Sequence, residues 1–342
     1  MGNRNVLVQV TRGTIVESQH RGNIAVVNSK GQLEYSVGDP QMVSYWRSSA
    51  KPVQAIPIVA SGAMDEYGIT KRELALFCSS HSGEEIHTEG VFSVLEKLRL
   101  TEEKLDCGSH PPLHKESALK LQDAKKDATK VHCNCSGKHS GMLVLCKKRD
   151  YDIASDDYTS LKHPLQQELL QVAAEFCKYP KEDIAIGIDG CGVPVYGMPI
   201  YNWALAYSYL ADPKANDTVE ENVIQTIADA MVEHPDMVGG TERFCTDLMR
   251  VGKGNLVAKA GAEGVYCVGI RDQKRGIAVK MEDGMPRGRQ AAVVETLKQL
   301  GALDEEQLKE LKDYHIKENK NHRDDVVGLI KPTFNLEKSD SL

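Results

Sequence analysis

A serine three positions before a lysine marks the part of this sequence that could carry out acyl transfer. The stretch Trp46 to Pro52 reads WRSSAKP. If Ser48 begins a helix, Lys51 lies one turn later on the same face, where its amine can reach the serine hydroxyl. A serine becomes a useful nucleophile when a neighbouring base accepts its proton. The spacing alone is a weak signal, because a serine here is also typical of a helix cap.

A second lysine and a second serine motif favour the catalytic interpretation. Leu256 to Gly261 predicts a strand that ends in Lys-Ala-Gly, and Ser80 begins a Ser-His-Ser sequence. Serine β-lactamases and penicillin-binding proteins combine a Ser-x-x-Lys helix start, a Ser-x-Asn loop and a Lys-Thr-Gly strand around one cleft. The sequence resembles that order, but it lacks the asparagine and has Ala260 in place of the threonine. Recognition of a β-lactam is therefore doubtful, although both serines and both lysines are present.

The composition restricts the class of protein. With 342 residues, of which 41% are hydrophobic and 27% charged, the chain has the composition of an ordinary globular protein. A net charge of −7 argues against binding to nucleic acid or to an anionic membrane. No run approaches the about 20 apolar residues of a membrane span, and residues 1–10 do not resemble an export signal. We therefore expect a cytoplasmic protein whose nine cysteines are reduced.

Strands cluster at both ends of the chain, and helices occupy the middle. Because the strands do not alternate with helices, the pattern favours an α+β fold over a doubly wound parallel sheet. We expect an antiparallel sheet formed from both chain ends, about 1–47 and 255–342, with a helical insertion at about 48–254, all within a single catalytic unit. The predicted strands are 6–10, 14–17, 23–28, 32–36, 184–188, 255–259, 265–270, 276–280 and 326–330, and the main predicted helices are 48–62, 70–77, 82–98, 138–148, 164–177, 199–211, 218–233, 241–251, 287–300 and 304–314.

Five sequence blocks resemble the rhizobial-type L-asparaginases, the asparaginase II family, whose fold is similar to that of serine β-lactamases. The resemblance extends over nearly the whole chain. The blocks are RSSAKP at 47–52, SSHSGE at 79–84, CNCSGKH at 133–139, DGCGVP at 189–194 and KAGAEG at 259–264.

The resemblance implies hydrolysis of L-asparagine to L-aspartate and ammonia by two Ser-Lys pairs, Ser48 with Lys51 and Ser80 with Lys259. A free lysine has a pKa of about 10.4, so the base requires an environment that favours the neutral amine. We expect Lys51 to deprotonate Ser48, which then forms an acyl-enzyme. The resemblance also suggests a homodimer.

A cluster of sulfur and nitrogen side chains lies between residues 132 and 139. Its spacing is not that of a zinc finger, and the residues alone favour reduced cysteines beside a helix start, because lysine is a rare metal ligand. The resemblance implies zinc on Cys135, Lys138 and the distant Cys191. Such a metal requires a deprotonated lysine and leaves room for water as a fourth ligand.

The charged ends of asparagine require polar partners in the protein. Our candidates are Arg47, His139 and Asp189. Asp189 follows an apolar stretch and precedes glycine, which is also typical of a turn.

Two other functions stay open on the sequence alone. The same residues suit a glutaminase or a β-lactamase-like serine hydrolase. A non-catalytic zinc-binding or amino-acid-binding protein that keeps the fold is the other alternative.

Overall fold

The computed structural model describes residues 5–153 and 158–339. The chain divides into two compact units. The sheet unit consists of Met1–Ser49, Met198–Ala215 and Asp247–Leu342, and the helical unit consists of Ala50–Gly197 and Asn216–Thr246.

An antiparallel sheet built from both chain ends forms the sheet unit. Within the described residues, nine strands take part. The first strand pairs with Val326–Pro332 on one side, where Val8 lies opposite Pro332, and with Ile15–Asn28 on the other. The strand order is Lys317–Lys320, Val326–Pro332, Val6–Arg12, Ile15–Asn28, Arg275–Met281, Val265–Ile270 and Leu256–Ala260, with Leu33–Val37 also paired to Ile15–Asn28 and Glu337–Lys338 paired to Leu33–Val37. The predicted α+β fold is thereby confirmed.

The central strands are buried at consecutive positions instead of at alternate ones. All six residues of Val265–Ile270 are buried. The helix Ile200–Ala211, which is buried at all but one of its positions, packs on this strand and on Arg275–Met281. A helix with apolar residues on every side belongs in a protein core. We expected this helix in the helical insertion at about 48–254, whereas in the structure it belongs to the sheet unit.

Four further elements complete the sheet unit. They are the short strand Val43–Tyr45 and the helices Pro286–Gln299, Glu305–Glu310 and Lys312–His315. The helix Phe244–Val251 begins in the helical unit and ends in the sheet unit.

The helical unit is organised around the helix Ser136–Arg149, whose first eleven residues are buried. This helix packs on Lys71–Phe77 and Glu85–Lys97. Gly137 permits the close approach, because a Cβ atom there would lie 2.3 Å from the Leu76 carbonyl oxygen. The other helices are Lys51–Gln54, Ile56–Ala60, Ala63–Tyr67, Lys115–Asp123, Pro164–Phe176, Glu221–Glu233 and Pro235–Val238, and the hairpin strands are Ala185–Ile188 and Pro194–Pro199.

The predicted helix 48–62 is divided into short pieces. A 3-10 helix at Arg47–Ala50 is followed by α-helices at Lys51–Gln54 and Ile56–Ala60. Pro52 and Pro57 each occupy a first-turn position. Proline has no N–H to donate, so a proline inside a helix tends to end it and start another.

Two further differences concern local structure. Residues predicted as two strands form the single strand Ile15–Asn28. Residues 99–137, to which the sequence assigned no main helix or strand, contain the helix Lys115–Asp123, which has no buried residue. Across the described ranges, every helix is too short or too polar to cross a bilayer.

Candidate active site

The Ser48 segment of the sheet unit is held by aromatic packing. Trp46 is fully buried and stacks on Trp203 with ring centroids 6.5 Å apart. Arg47 has a φ of 53°, a left-handed conformation that is unfavourable for a residue with a side chain. The chain therefore turns sharply just before Ser48, which is half-buried. Strained backbone of this kind is concentrated at functional sites.

Ser49 connects this segment to the strand that carries Lys259. The Ser49 hydroxyl donates to the Lys259 carbonyl at 3.0 Å, and the Tyr207 hydroxyl donates to the Ser49 carbonyl at 2.9 Å. Lys259 is 1% exposed, and its amine donates to the Ala260 carbonyl at 2.7 Å. The Ser49 hydroxyl is thus held by a hydrogen bond within the sheet unit.

Lys51 lies buried in the helical unit, with three hydrogen-bond partners for its amine. The side chain is 1% exposed. Its Nζ donates to the Ser79 carbonyl at 2.5 Å, to the Ser80 hydroxyl at 3.1 Å and to the Cys135 sulfur at 3.3 Å. These three contacts match the three donors of an ammonium group. Sequence reasoning placed Lys51 with Ser48 and did not anticipate its contact with Ser80.

The residues expected to bind zinc converge in the helical unit. Cys135 precedes the first turn of Ser136–Arg149, Lys138 lies in that turn, and Cys191 follows the strand Ala185–Ile188. All three are buried. The Lys138 Nζ lies 2.8 Å from the Cys191 sulfur, and Cys191 in turn is hydrogen-bonded to Cys135.

Cys135 is the thiol in this cluster that ionises most readily. Hydrogen bonds from Cys133 and from Cys191 lower its pKa against the effect of burial. The charges of Lys51 and Lys138 act in the same direction. The pKa of Cys133 is raised in turn, because Cys107 and Cys135 share its hydrogen bonds and because it is buried.

Cys135 contributes to shifts in the pKa values of Lys138 and Cys191. Burial disfavours the Lys138 ammonium, but attraction to Cys191 and Cys135 outweighs burial and raises the lysine pKa. The hydrogen bond to Cys135 and burial raise the pKa of Cys191. The shifts of the two pKa values therefore favour ionisation of Cys135 over ionisation of Cys191.

The chemistry of these three side chains suits zinc. Two thiolates and one neutral amine are a sulfur and nitrogen donor set of the kind that this borderline-soft ion accepts. Among the described residues there is no group of three or more His, Cys, Asp or Glu side chains placed to hold a metal. The expected ligand set differs from such a group in using a lysine.

His139 has one ring nitrogen without a hydrogen-bond partner among the described residues, and it lies near Lys138 and Cys135. The ring is fully buried, and its Nδ1 lies 2.8 Å from the Tyr158 hydroxyl, which accepts from the Asp106 amide. Its Nε2 has no hydrogen-bond partner within 5–153 and 158–339. Burial, followed by the charge of Lys138, lowers the pKa of His139 well below its usual value. Sequence reasoning missed Tyr158, since a tyrosine in a polar loop has no distinguishing pattern.

Asp189 occupies a tight turn beside the cysteine cluster. Its backbone N–H donates to the Val193 carbonyl at 2.9 Å, and its carbonyl accepts from Gly192 at 2.9 Å. Its carboxylate is among the negative charges that act on Lys138. Asp189 is therefore both the turn residue that its sequence suggested and a neighbour of Lys138.

Comparison with solved structures gives matches at low sequence identity. The chain is similar to the solved structure of a beta-lactamase from Mycobacterium bovis, with 11% identity, a TM-score of 0.42 and coverage of 81% of this chain and 94% of that one. It has the same identity, TM-score and coverage of this chain with a protein assigned as a beta-lactamase from Bacteroides dorei, of which 93% is covered. A search of curated proteins finds no significant match.

The family comparison covers almost the entire sequence. The sequence model of the family described as L-asparaginase II matches residues 8–332. This range includes all five blocks quoted above, from RSSAKP to KAGAEG. The expected resemblance is confirmed, and the chain belongs to the L-asparaginase II family of amidohydrolases.

Proposed function

We propose that this enzyme hydrolyses L-asparagine to L-aspartate and ammonia through a serine acyl-enzyme, with Ser48, Lys51, Ser80 and Lys259 as its catalytic residues. The contact between the buried Lys51 amine and the Ser80 hydroxyl, at 3.1 Å, is the observation that supports it most directly. A lysine at this distance from a serine can exchange a proton with it once the amine is neutral.

The proposed reaction consists of acylation of Ser48 and hydrolysis of the resulting ester. The Ser48 oxygen attacks the side-chain amide carbon of asparagine as Lys51 takes the hydroxyl proton. The proton held by Lys51 then passes through Ser80 and Lys259 to the nitrogen, the carbon–nitrogen bond breaks, and ammonia leaves. Water oriented by Ser80 and Lys259 attacks the ester carbon. One proton of that water returns to Ser48, and aspartate leaves with the new carboxyl group. Backbone N–H groups at the helix start stabilise the oxyanion.

The contact between Lys51 and Ser80 also supports the reverse assignment, in which Ser80 is acylated. Slowing deacylation distinguishes the two serines. Lys259→Ala enzyme quenched with asparagine should accumulate an acyl adduct that peptide mass spectrometry assigns to Ser48. An adduct on Ser80 with none on Ser48 would exchange their roles.

Three polar side chains are proposed to bind the charged ends of asparagine. The orphan Nε2 of His139 supports its part in this, because a buried donor without a partner is costly until a ligand satisfies it. Asp189 is half-buried and suits the α-ammonium group, whereas Arg47 suits the α-carboxylate.

Zinc is proposed to bind to Cys135, Lys138 and Cys191. When bound, zinc would act as a Lewis acid or would position the substrate. The protein's part is to hold the three donors together and to bury them. In the proposed holoenzyme Lys138 is neutral and both thiols are ionised, because the cation displaces their protons.

Metal content tests this ligand set without any assay of activity. Purified protein should contain about one zinc per chain, as expected for a single site. Cys135→Ala should lose it, because a thiolate ligand is removed. The matched control is Cys146→Ala, which replaces a buried cysteine in the helix Ser136–Arg149 that follows Cys135, and it should keep the metal. Equal zinc in Cys135→Ala and wild type would remove Cys135 from the ligand set.

Ammonia release is the test of the proposed reaction. Wild-type enzyme should release ammonia from asparagine much faster than from glutamine, because one extra methylene changes the fit of the pocket. Ser48→Ala should lower kcat by about 10³-fold or more, since the nucleophile is lost, whereas Ser44→Ala should leave it unchanged. The assay is run with and without a chelator.

Other outcomes of this assay identify the alternative functions. Faster release from glutamine would indicate a glutaminase. No ammonia from either amide, together with stabilisation of the fold by asparagine, would indicate a binding protein. Full activity in Ser48→Ala would exclude Ser48 as the nucleophile.

The quaternary structure and cellular location are proposed on the sequence alone. The resemblance supports a homodimer, and the composition supports a cytoplasmic protein. Light scattering on the purified protein measures the number of subunits directly.

A further inference from the structure

Two buried histidines are stacked behind the segment that carries Ser80. The His81 and His87 rings lie 4.9 Å apart between centroids, with 13° between their planes. Both side chains are fully buried. We call residues 79–84 the Ser80 loop. The stack thus pairs a residue of the Ser80 loop with one from the first turn of the helix Glu85–Lys97.

The backbone of the Ser80 loop uses one nitrogen of each ring as an acceptor. The Gly83 N–H donates to His81 Nδ1, and the Glu84 N–H donates to His87 Nδ1, each at 3.2 Å. A ring nitrogen that accepts a hydrogen bond carries no hydrogen. The hydrogen of each neutral ring is therefore on Nε2.

The Nε2 atoms connect the same two rings to neighbouring elements. His81 Nε2 lies 2.9 Å from the Ser136 hydroxyl, which itself donates to the Val131 carbonyl. His87 Nε2 lies 2.9 Å from the Asp236 carbonyl oxygen. All four ring nitrogens are thus occupied, and the pattern is complete only when both rings are neutral.

We propose that the His81–His87 stack positions the Ser80 loop and releases it on acidification, when a proton on either Nδ1 removes the acceptor of a loop amide. The proposal rests on the proposed function in assigning Ser80 to catalysis. His81 and His87 are positioning residues, since they act through the loop backbone.

The groups that face His81 favour its neutral form. Burial is the main cause of its lowered pKa, and His87, Lys51 and His110 add to it, whereas Cys135 opposes it. A proton on one ring would also place a charge directly against the other ring. Because like charges repel, protonation of the first ring opposes protonation of the second.

The groups that face His87 have opposing effects on its pKa. Burial lowers its pKa, and the charge of Arg72 acts in the same direction. The Asp236 carbonyl and the carboxylates of Glu84 and Asp236 oppose this shift. The histidine stack is thus held neutral chiefly by its exclusion from water.

Hydrogen exchange of the Ser80 loop is the test that does not depend on catalysis. It is followed from about pH 8 downward to a pH well below the ordinary histidine pKa of about 6.5, because burial lowers the pKa of both rings, and it is corrected for the intrinsic exchange rate. The Gly83 and Glu84 amides should be protected at the higher pH and lose protection below it, at a pH where distant core amides stay protected. Continued protection of both amides after NMR shows the two imidazoles to be protonated would overturn the proposal.

Matched variants test the link between the stack and activity. Asparagine can place an oxygen near the Nδ1 position without titrating, whereas leucine cannot accept a hydrogen bond. The double variant His81→Asn/His87→Asn should retain most of kcat at about pH 8 and lose less of it on acidification than wild type does. His81→Leu should lower kcat about tenfold or more at every pH, because a displaced reacting group is costly. The control is His322→Asn, which replaces an exposed histidine and should keep the wild-type dependence of kcat on pH.

The results separate this proposal from the proposed function. Acid-dependent exchange of the loop in a protein that releases no ammonia would support the stack while contradicting the reaction. A wild-type pH profile and unchanged kcat in His81→Leu, in an enzyme that hydrolyses asparagine, would overturn the positioning role and leave the reaction intact.

Discussion

Lys51 is the residue whose surroundings bear most directly on the chemistry. It is buried, and its amine contacts a serine hydroxyl, a backbone carbonyl and a cysteine sulfur. Each contact alone is compatible with a structural lysine. The serine contact gives the amine a group with which it can exchange a proton, and this is the property that a general base needs.

Replacing Lys51 by methionine separates these roles. Methionine fills a similar volume but has no basic nitrogen, so Lys51→Met should lower kcat for ammonia release by about 10²–10⁴-fold. Its melting temperature, measured in parallel, shows whether the fold persists. The control Lys148→Met removes a partly exposed ion pair with Glu66 and should change stability by about 0–1 kcal/mol. Wild-type kcat in a folded Lys51→Met enzyme would exclude Lys51 as the base.

The adjacent serines at 48 and 49 differ in their spacing to Lys51 and in their tertiary contacts. Both precede the lysine in a small polar stretch, and the Ser-x-x-Lys spacing selects Ser48. The structure adds a physical reason: Ser49 is fully buried and bonded to the Lys259 carbonyl, whereas Ser48 is half-buried. A hydroxyl engaged in the core is poorly placed to attack a substrate.

At the scale of elements, glycine governs how closely the core helix approaches the sheet. Gly276 lies on Arg275–Met281, and a Cβ atom there would be 1.8 Å from the Ala204 carbonyl oxygen. Gly269 on the neighbouring strand has a similar constraint, with the Tyr207 carbonyl at 2.6 Å. The helix Ile200–Ala211 therefore rests directly on backbone, and Tyr207 on the same helix bonds to Ser49.

Gly276→Ala should consequently destabilise the protein. The added methyl group has to displace the helix backbone, and overpacking of this kind costs about 1–3 kcal/mol. Denaturant unfolding measures the loss. Gly190→Ala is the matched control, because no atom lies within 4 Å of its Cβ position, and it should leave the midpoint unchanged. Equal midpoints for the two variants would show that the helix yields without cost.

Short elements were the least predictable from sequence. The helix Lys71–Phe77 agrees with the predicted helix 70–77, and the bonds of its capping box, between Thr70 and Glu73, are local. The division of 48–62 into separate turns depends on two prolines that are each tolerated at a helix start. The helix Lys115–Asp123 lacks a buried face, so no periodic apolar pattern was there to reveal it.

At the scale of the whole molecule, strands from the two chain ends pair with each other within one sheet. The first strand lies between Val326–Pro332 and Ile15–Asn28, and the latter pairs with Arg275–Met281. The sheet unit thus requires both ends of the chain. The conclusion that 1–342 acts as a single catalytic unit stays a prediction.

The sequence by itself determined the fold class, the family and the residues that could react. Clustered strands and five ordered motifs carry that information, because periodicity and motif spacing are local properties of a chain. Tertiary structure alone decided that Lys51 contacts Ser80, that Cys135 lies between two amines, and that His81 stacks on His87. Lys51 is far from Ser80 and from Cys135 in sequence, and the stacking of His81 on His87 depends on how the chain turns between them. Burial then affects the protonation of these side chains, and a local sequence pattern does not report burial.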